Sequence, residues 1–353
     1  MLRTRLRGVT FTDIVVWLIG LIIFVGMIWG SIATIRLGKY SASTWTDLIV
    51  TGLALGGVYA LIALGYTLVY GILRMINFAH SEVFMSGAFT ATFAATGLMN
   101  IGWWDRMPIL SLLIVLAVAA LVSATVAFLV ERIAYRPLRN APRLVPLITA
   151  IGASFFLQYT FRGLYGSGLK GYPEMAIFKG EVVFFGIRFF KTQLVVIIGA
   201  ILMMLILYSI VQYTKIGKAM RAVSEDKDTA ALMGIDVDRT ISTTFVLGGA
   251  SAGIAGILYL ILFPVAHFFM GFIPGLKAFT SAVLGGIGNV PGAFLGGIIL
   301  GLLESVGPSL FLDGLGIPAA YQLKDAIAFT VLVFILIFRP SGILGERLTE
   351  TKA

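Results

Sequence analysis

QLVVIIGAILMMLILYSIVQ, residues 193–212, holds no charge over its whole length. As a helix rising about 1.5 Å per residue it covers the roughly 30 Å hydrocarbon core of a bilayer. Working outward, its carboxyl side runs into the charged stretch 213–240, which is followed by a second apolar run, ISTTFVLGGASAGIAGILYLIL, at 241–262. Apolar runs of this kind recur near 13–35, 48–70, 78–98, 108–130, 144–162 and 325–338. Of 353 residues, 59% are hydrophobic and 12% charged, against about 25% charged in a soluble domain. The pattern is that of an all-α, polytopic helical membrane protein with room for roughly eight to ten spans.

One apolar stretch is broken. KAFTSAVLGGIGNVPGAFLGGIILGLLES, residues 277–305, carries Gly285, Gly286, Gly288, Asn289, Pro291 and Gly292 at its middle, which predicts two short helices or a hairpin. If that break lies at membrane depth, its freed backbone groups must face protein or a water-filled cavity.

Lys and Arg divide unequally between alternate connections. The side that takes the amino terminus, 71–77, 131–143, 213–240 and the carboxyl terminus holds 16 and the other side 10, which places the first side, both termini included, in the cytoplasm. The opening MLRTRLRG precedes an apolar run too long for a cleaved signal peptide and reads as a retained anchor. The long outer loop 163–191 contains VVFFGIRFF, a candidate hairpin.

Several function classes drop out. With no cysteine, disulfides, thiolate metal sites and cysteine nucleophiles are excluded. His80 and His267 are the only histidines and neither has an i+4 partner, so no metal site and no Ser-His-Asp triad is expected. GSGLKGY and GIRFFKT both lack required positions of a phosphate-binding loop. The net charge of +9 is scattered through short connections, and so fits topology beside membrane lipid, not nucleic acid. Small residues four apart, Gly52/Gly56, Gly249/Gly253, Gly292/Gly296 and Gly297/Gly301, read as helix-packing faces.

Candidate functional residues fall in three groups. RMINFAHSEVF, residues 74–84, sets Asn77, His80 and Glu82 near the cytoplasmic end of a span, facing a cavity or capping an interfacial helix. Glu304 and Asp325 read as interfacial. Gln158 and Tyr66 add polar groups to neighbouring spans, and Gly285, Gly286, Gly288 and Asn289 offer backbone to a solute; together these form the candidate path. The third group is AVSEDKDTAALMG, residues 222–234. Gly and Pro are absent from 218–233, which predicts one short cytoplasmic helix. Ala222, Asp226, Ala230 and Gly234 would share a face bare of bulk, able to settle into a groove on another protein while Glu225 offers rim charge.

The segment DTAALMG resembles a degenerate EAA motif, the coupling helix of ABC importer permeases, with Asp228 in place of its Glu, Thr229 and Ala230 in place of its alanines, and Gly234 as its Gly. GLALGGVYALIALGYTLVYGILRMINFAHSEVFMSGA, ERIAYRPLR, LITAIGASFFLQ, RAVSEDKDTAALMGIDVDRTI, GLKAFTSAVLGGIGNVPGAFLGGIILGLLES and RPSGILG are similar to the permease subunit of branched-chain amino acid ABC transporters of the LivH type, over roughly residues 46–346. The chain departs from the family in its extra span within 1–45 and in Ser81, where Gly is expected.

The resemblance implies a permease domain at 46–346 between an amino-terminal extension at 1–45 and a cytoplasmic tail at 347–353. It implies a bacterial inner-membrane subunit that imports branched-chain or related hydrophobic amino acids and is not itself an enzyme. It needs no cofactor of its own, since ATP is bound by partners: two cytoplasmic ABC ATPase subunits act with a second permease subunit and an extracytoplasmic substrate-binding protein. Urea or short amides are the alternative cargo. An ion-coupled secondary transporter using Glu82 and the 285–292 break is the alternative class, and a membrane-embedded enzyme is disfavoured because no catalytic pair is well spaced.

Overall fold

In the computed structural model the described residues are 11–139, 141–142, 144–184, 186–339 and 341–345. The basic opening MLRTRLRG and the tail 347–353 lie outside them. Thirteen α-helices follow one another: α1 Phe11–Leu37, α2 Ala42–Leu73, α3 His80–Asn100, the short α4 Trp103–Arg106, α5 Pro108–Leu129, α6 Leu144–Tyr165, α7 Lys191–Tyr213, α8 Lys215–Glu225, α9 Lys227–Leu232, α10 Val237–Leu262, α11 Phe272–Gly285, α12 Val290–Gly307 and α13 Lys324–Phe338. Four strands, β1 Lys170–Gly171, β2 Glu181–Phe184, β3 Ile187–Phe190 and β4 Val265–Ala266, and several short 3-10 and π-helical segments make up the rest of the described elements.

Among the described residues, eight helical stretches are long and apolar enough to cross a membrane. Every run expected from the sequence is a helix, but α3 is not among the eight, because Ser, Thr, His and Glu dilute its 21 residues. Its place in the count is taken by Val290–Leu315, which contains α12. The loop reading also holds: β2 and β3 pair as an antiparallel hairpin, with Phe184 opposite Ile187.

α2 runs through the centre, and every residue from Ala54 to Val69 is buried. Its closeness to α12 depends on absent side chains. A Cβ on Gly56 would stand 2.8 Å from Cα of Ile298, and one on Gly301 would stand 2.3 Å from the amide nitrogen of Gly56. Gly249 and Gly253 meet Ala119 and Ser123 of α5, and Gly292 and Gly296 meet Gly285 and Ser281 of α11. The four-residue rows are therefore packing faces at three separate crossings, as small residues are in lipid, where contact replaces the hydrophobic drive.

The break at 285–289 makes an antiparallel hairpin of α11 and α12. Its turn sits at the end of the bundle where α13 finishes, covered by residues 341–345 of the same chain. The amides of Ile343 and Leu344 donate to the carbonyls of Leu284 and Gly285 at 2.9 Å each, and Asn289 Nδ2 donates to the Leu344 carbonyl at 2.9 Å.

Within the described part of the extension, α1 is one continuous helix of 27 residues. α1 lies along the far end of α12: a Cβ on Gly30 would meet the carbonyl of Phe311 at 2.0 Å, and Lys39 pairs with Asp313 at 2.8 Å. Its remaining face is apolar and exposed, Trp17, Leu21 and Trp29 included, which is the composition of a lipid-facing surface.

Candidate functional site

The charged insert after α7 is built by caps. The hydroxyl of Thr214 accepts from the Gly217 amide at 3.1 Å and starts α8. One helix across 218–233 was expected, but the structure has two. Asp226 adopts an extended backbone, and its carboxylate accepts from the amides of Asp228 (2.9 Å) and Thr229 (3.1 Å) and from the Thr229 hydroxyl (2.7 Å). It is the N-cap of α9, and those bonds hold its pKa below the usual 3.8. Gly234, with φ of +82°, closes α9: its amide donates to Ala231, and the Ile235 amide donates back to Ala230. This is the glycine-ended motif in which a left-handed residue satisfies the last carbonyls.

The cap reverses part of the expected docking surface. Ala222 packs partly buried against the core and Ala230 is buried, so the two alanines of that face point inward. Glu225, Asp226, Asp228, Thr229 and Gly234 are exposed, and beside them Leu232 and Met233 stand 88% and 79% open. Two large apolar side chains so open on an otherwise charged connection call for a partner surface. They were passed over in the sequence because LM beside Gly reads as ordinary helix content.

Behind the insert lies a charged seat. Arg74, itself in the left-handed region at φ +55°, donates to the Ser224 carbonyl at 3.1 Å and ties α2 to α8. Asp238, at the start of α10, receives Arg136 and Arg139. Arg139 also pairs with the fully buried Glu131, which accepts from the Ser242 hydroxyl at 2.7 Å. Burial first, then the guanidinium groups of Arg139 and Arg74, push the ammonium pKa of Lys227 below its usual value. The segment ERIAYRPLR thus has a definite place, clamping α5 to α10.

Around the first turn of α3 the structure brings together five of the path candidates, Tyr66 among them. Asn77, His80, Glu82 and Gln158 are all at most 3% exposed, so the interfacial reading of this turn fails. Glu82 Oε1 accepts from Gln158 at 2.7 Å and from the hydroxyls of Ser154 and Ser81 at 3.3 and 3.4 Å, while Oε2 has no partner among the described residues. Tyr66 lies edge-on to His80, ring centroids 4.9 Å apart, and Tyr135 donates to Asn77 at 2.6 Å. Ser81, the departure from the family pattern, sits against Gly271 and Gly275 beside α11, where a Cβ on Gly275 would meet its own Cβ at 2.3 Å.

The other path candidates are elsewhere. Gly285 and Gly286 are buried under residues 341–345 and offer no backbone to a solute; Gly288 and Asn289 form the turn itself. A charged group missed as a site is Lys277, 3% exposed. Its ammonium contacts Glu304 at 2.7 Å, Asp325 at 2.6 Å and the Tyr59 hydroxyl at 3.4 Å. Glu304 is 2% exposed and so is a core residue, not an interfacial one, while Asp325 keeps a 44% exposed side chain. The signal was Lys277 itself, since a lone cation in an apolar run needs a buried anion.

A multi-pass helical bundle with a capped, charged connection at one end defines the class of polytopic helical membrane proteins. The family described as "Branched-chain amino acid transport system / permease component" matches residues 48–336. The chain is 42% identical over 302 residues to the high-affinity branched-chain amino acid transport system permease protein BraD of Pseudomonas aeruginosa, covering 84% of this chain and 95% of that one. It is 41% identical over 300 residues to the permease protein LivH of Escherichia coli K12, covering 84% and 94%. The autoinducer 2 import system permease protein LsrD of Salmonella paratyphi B is more distant, 23% identical over 218 residues. The chain belongs to the branched-chain amino acid transport permease family, and α1 precedes the matched residues.

Proposed function

We propose that this chain is the transmembrane permease subunit of an ABC importer that carries branched-chain or related hydrophobic amino acids across the inner membrane. The observation that carries the reading is the identity above 40% with BraD and LivH along nearly their whole lengths. The chain holds no ATP itself. Two ATPase subunits in the cytoplasm hydrolyse it, a second permease subunit completes the pathway, and an extracytoplasmic binding protein delivers solute. Both termini and the 213–240 connection face the cytoplasm, in keeping with the excess of Lys and Arg there.

The insert serves as the coupling element. Leu232 and Met233 enter an apolar groove of an ATPase subunit while Glu225 and Asp228 pair at its rim. Motion of α8–α9 reaches α2 through Arg74 and Ser224, and reaches α5 and α10 through Asp238, Arg139 and Glu131. Rigid helices linked by ion pairs then rock between two access states.

The test is co-purification of the tagged full-length chain with its ATPase subunits in mild detergent, together with uptake of L-leucine into vesicles carrying the whole system. Association and uptake are expected for the parent, and both are expected to be lost in the Leu232→Glu/Met233→Glu double variant with insertion unchanged. A parent that binds no ATPase yet transports in response to an ion gradient would replace this reading with the secondary transporter.

A further inference from the structure

At the end of the bundle opposite the charged insert, the outer loop arches over the ends of α10 and α7. β1 and β4 pair there, Lys170 opposite Ala266, and the Tyr172 amide donates to the Pro264 carbonyl at 2.9 Å. The arch encloses a cavity of about 310 Å³, at the small end of ligand pockets, which run roughly 300–1,000 Å³. Its wall is apolar where Met175, Phe178, Leu260 and Leu262 line it, and Glu174 and Lys179 bring one charge of each sign. Those two meet at 3.6 Å, with side chains 61% and 65% exposed, so the pair is loose, screened and easily opened. Tyr172, another lining residue and 6% exposed, keeps a buried hydroxyl with no partner among the described residues.

We propose that this cavity is a receiving site for a zwitterionic amino acid with an aliphatic side chain, an inference that rests on the importer reading above. Such a ligand carries an ammonium, a carboxylate and a branched hydrocarbon. Glu174 accepts from the ammonium and Lys179 donates to the carboxylate, both exchanging a weak mutual contact for charge-assisted bonds. The side chain takes the wall of Met175, Phe178, Leu260 and Leu262. An uncharged aliphatic molecule would leave both charges unused. A single-charge analogue would leave one of them beside a neutral group, and specificity arises from that unpaired charge. Since Glu174 and Lys179 stand on a short loop at the mouth of the cavity, the site holds solute weakly and hands it on, as a station between a binding protein and the spans requires.

The experiment uses the full-length chain in mild detergent and equilibrium binding of radiolabelled L-leucine up to millimolar concentration. Leucinamide, which lacks the carboxylate, and 4-methylpentanoate, which lacks the ammonium, serve as competitors. For the wild type, each analogue is expected to compete at least about tenfold more weakly than L-leucine. Lys179→Met should abolish the discrimination against leucinamide and keep that against 4-methylpentanoate; Glu174→Gln should do the reverse. Both positions are exposed, so neither change threatens the fold. Absence of saturable binding, equal competition by all three compounds, or both discriminations surviving in both variants would overturn the inference. Uptake of L-leucine by vesicles carrying the complete system separates the two readings: transport by the wild type with binding indifferent to both variants sinks this site alone, and no transport of branched-chain solutes sinks the importer reading.

Discussion

Replacing Lys277 with Met tests the buried charge cluster that joins α2, α11, α12 and α13. Lys277 reaches three partners at once, Glu304, Asp325 and Tyr59, while Glu304 meets Lys277 at 2.7 Å and Lys324 only at 3.8 Å. Removing the ammonium leaves Glu304, 2% exposed, as a buried anion with one distant cation. Removing one member of a buried pair costs roughly 3–5 kcal/mol, most of it the penalty of the stranded charge. Lys324 and the accessible side of Asp325 soften that penalty, so Lys277→Met is expected near 3 kcal/mol, at the low end of the same range. Glu304→Gln is milder, because Lys277 keeps Asp325 at 2.6 Å and the amide still accepts a hydrogen bond; about 1–2 kcal/mol follows from one weakened bond to a charged group. The double variant Lys277→Met/Glu304→Gln carries no stranded charge and should lose about as much as Glu304→Gln alone, a coupling on the order of 3 kcal/mol. The assay is denaturant unfolding of the purified chain in mild detergent, completed as a double-mutant cycle. Additive single changes, or Glu304→Gln more damaging than Lys277→Met, would refute the stranded-charge argument.

Gly301→Leu places a side chain where even a Cβ would stand 2.3 Å from the Gly56 amide nitrogen, so α2 and α12 must part; the yield of monodisperse protein in detergent is expected to collapse, whereas Gly97→Leu, with nothing within 4 Å of its Cβ, should be tolerated. Gly286→Leu should expel residues 341–345 from the hairpin turn, since its Cβ would meet Gly345 at 2.3 Å at a φ of +106°, and the amides of Ile343 and Leu344 should lose protection against hydrogen exchange. Asp226 has a lowered carboxyl pKa, so its cap is complete above the ordinary 3.8 and is lost only as pH falls through the lower folded value. Protection factors for the Asp228 and Thr229 amides should therefore be flat from neutral pH down to the ordinary value and drop below it; a drop beginning well above it would contradict the cap.

The spans were legible because each is a run of apolar residues long enough to cross, and the hairpin because Gly and Pro gather in 285–292. What escaped was whatever depends on partners distant in sequence. Asp226 lies in a stretch free of Gly and Pro, so a search for breakers passes over it; the local sign was an Asp three residues ahead of Thr229, an N-cap pattern. Ala222 and Ala230 share a face under either description, but only the packing against α10 and the core decides whether that face looks in or out. Lys277 lies 27 residues from Glu304 and 48 from Asp325, and only the antiparallel hairpin and the return of α13 bring the three together. The glycines of the break were expected to serve a solute because a broken helix often does; residues 341–345, which cover them, had no role until α13 placed them there.

The arrangement of charge divides the molecule into a fastened part and a loose part. At one end the hydrogen bond from Arg74 to Ser224 and the clamp of Arg136 and Arg139 on Asp238 and Glu131 bind the insert to α2, α5 and α10. At the other end Lys277 binds α2, α11, α12 and α13. Both fasteners include α2, the helix buried from Ala54 to Val69. α6 is held differently: besides the Tyr165 hydroxyl against Thr90 at 3.1 Å, it reaches α3 through Ser154 and Gln158 on the carboxylate of Glu82, an anion with no cation among its hydrogen-bond partners and one oxygen unpartnered among the described residues. If α6 moves against α3 during transport, those bonds must break and reform. Gln158→Leu, which removes the 2.7 Å bond and leaves the carboxylate less satisfied, is then expected to slow uptake several-fold with ATPase association unchanged, and Glu82→Gln, which keeps a neutral acceptor, to slow it less. Equal loss of uptake in the two variants, or loss of ATPase association in either, would mean that Glu82 acts in some other way than as the latch of α6.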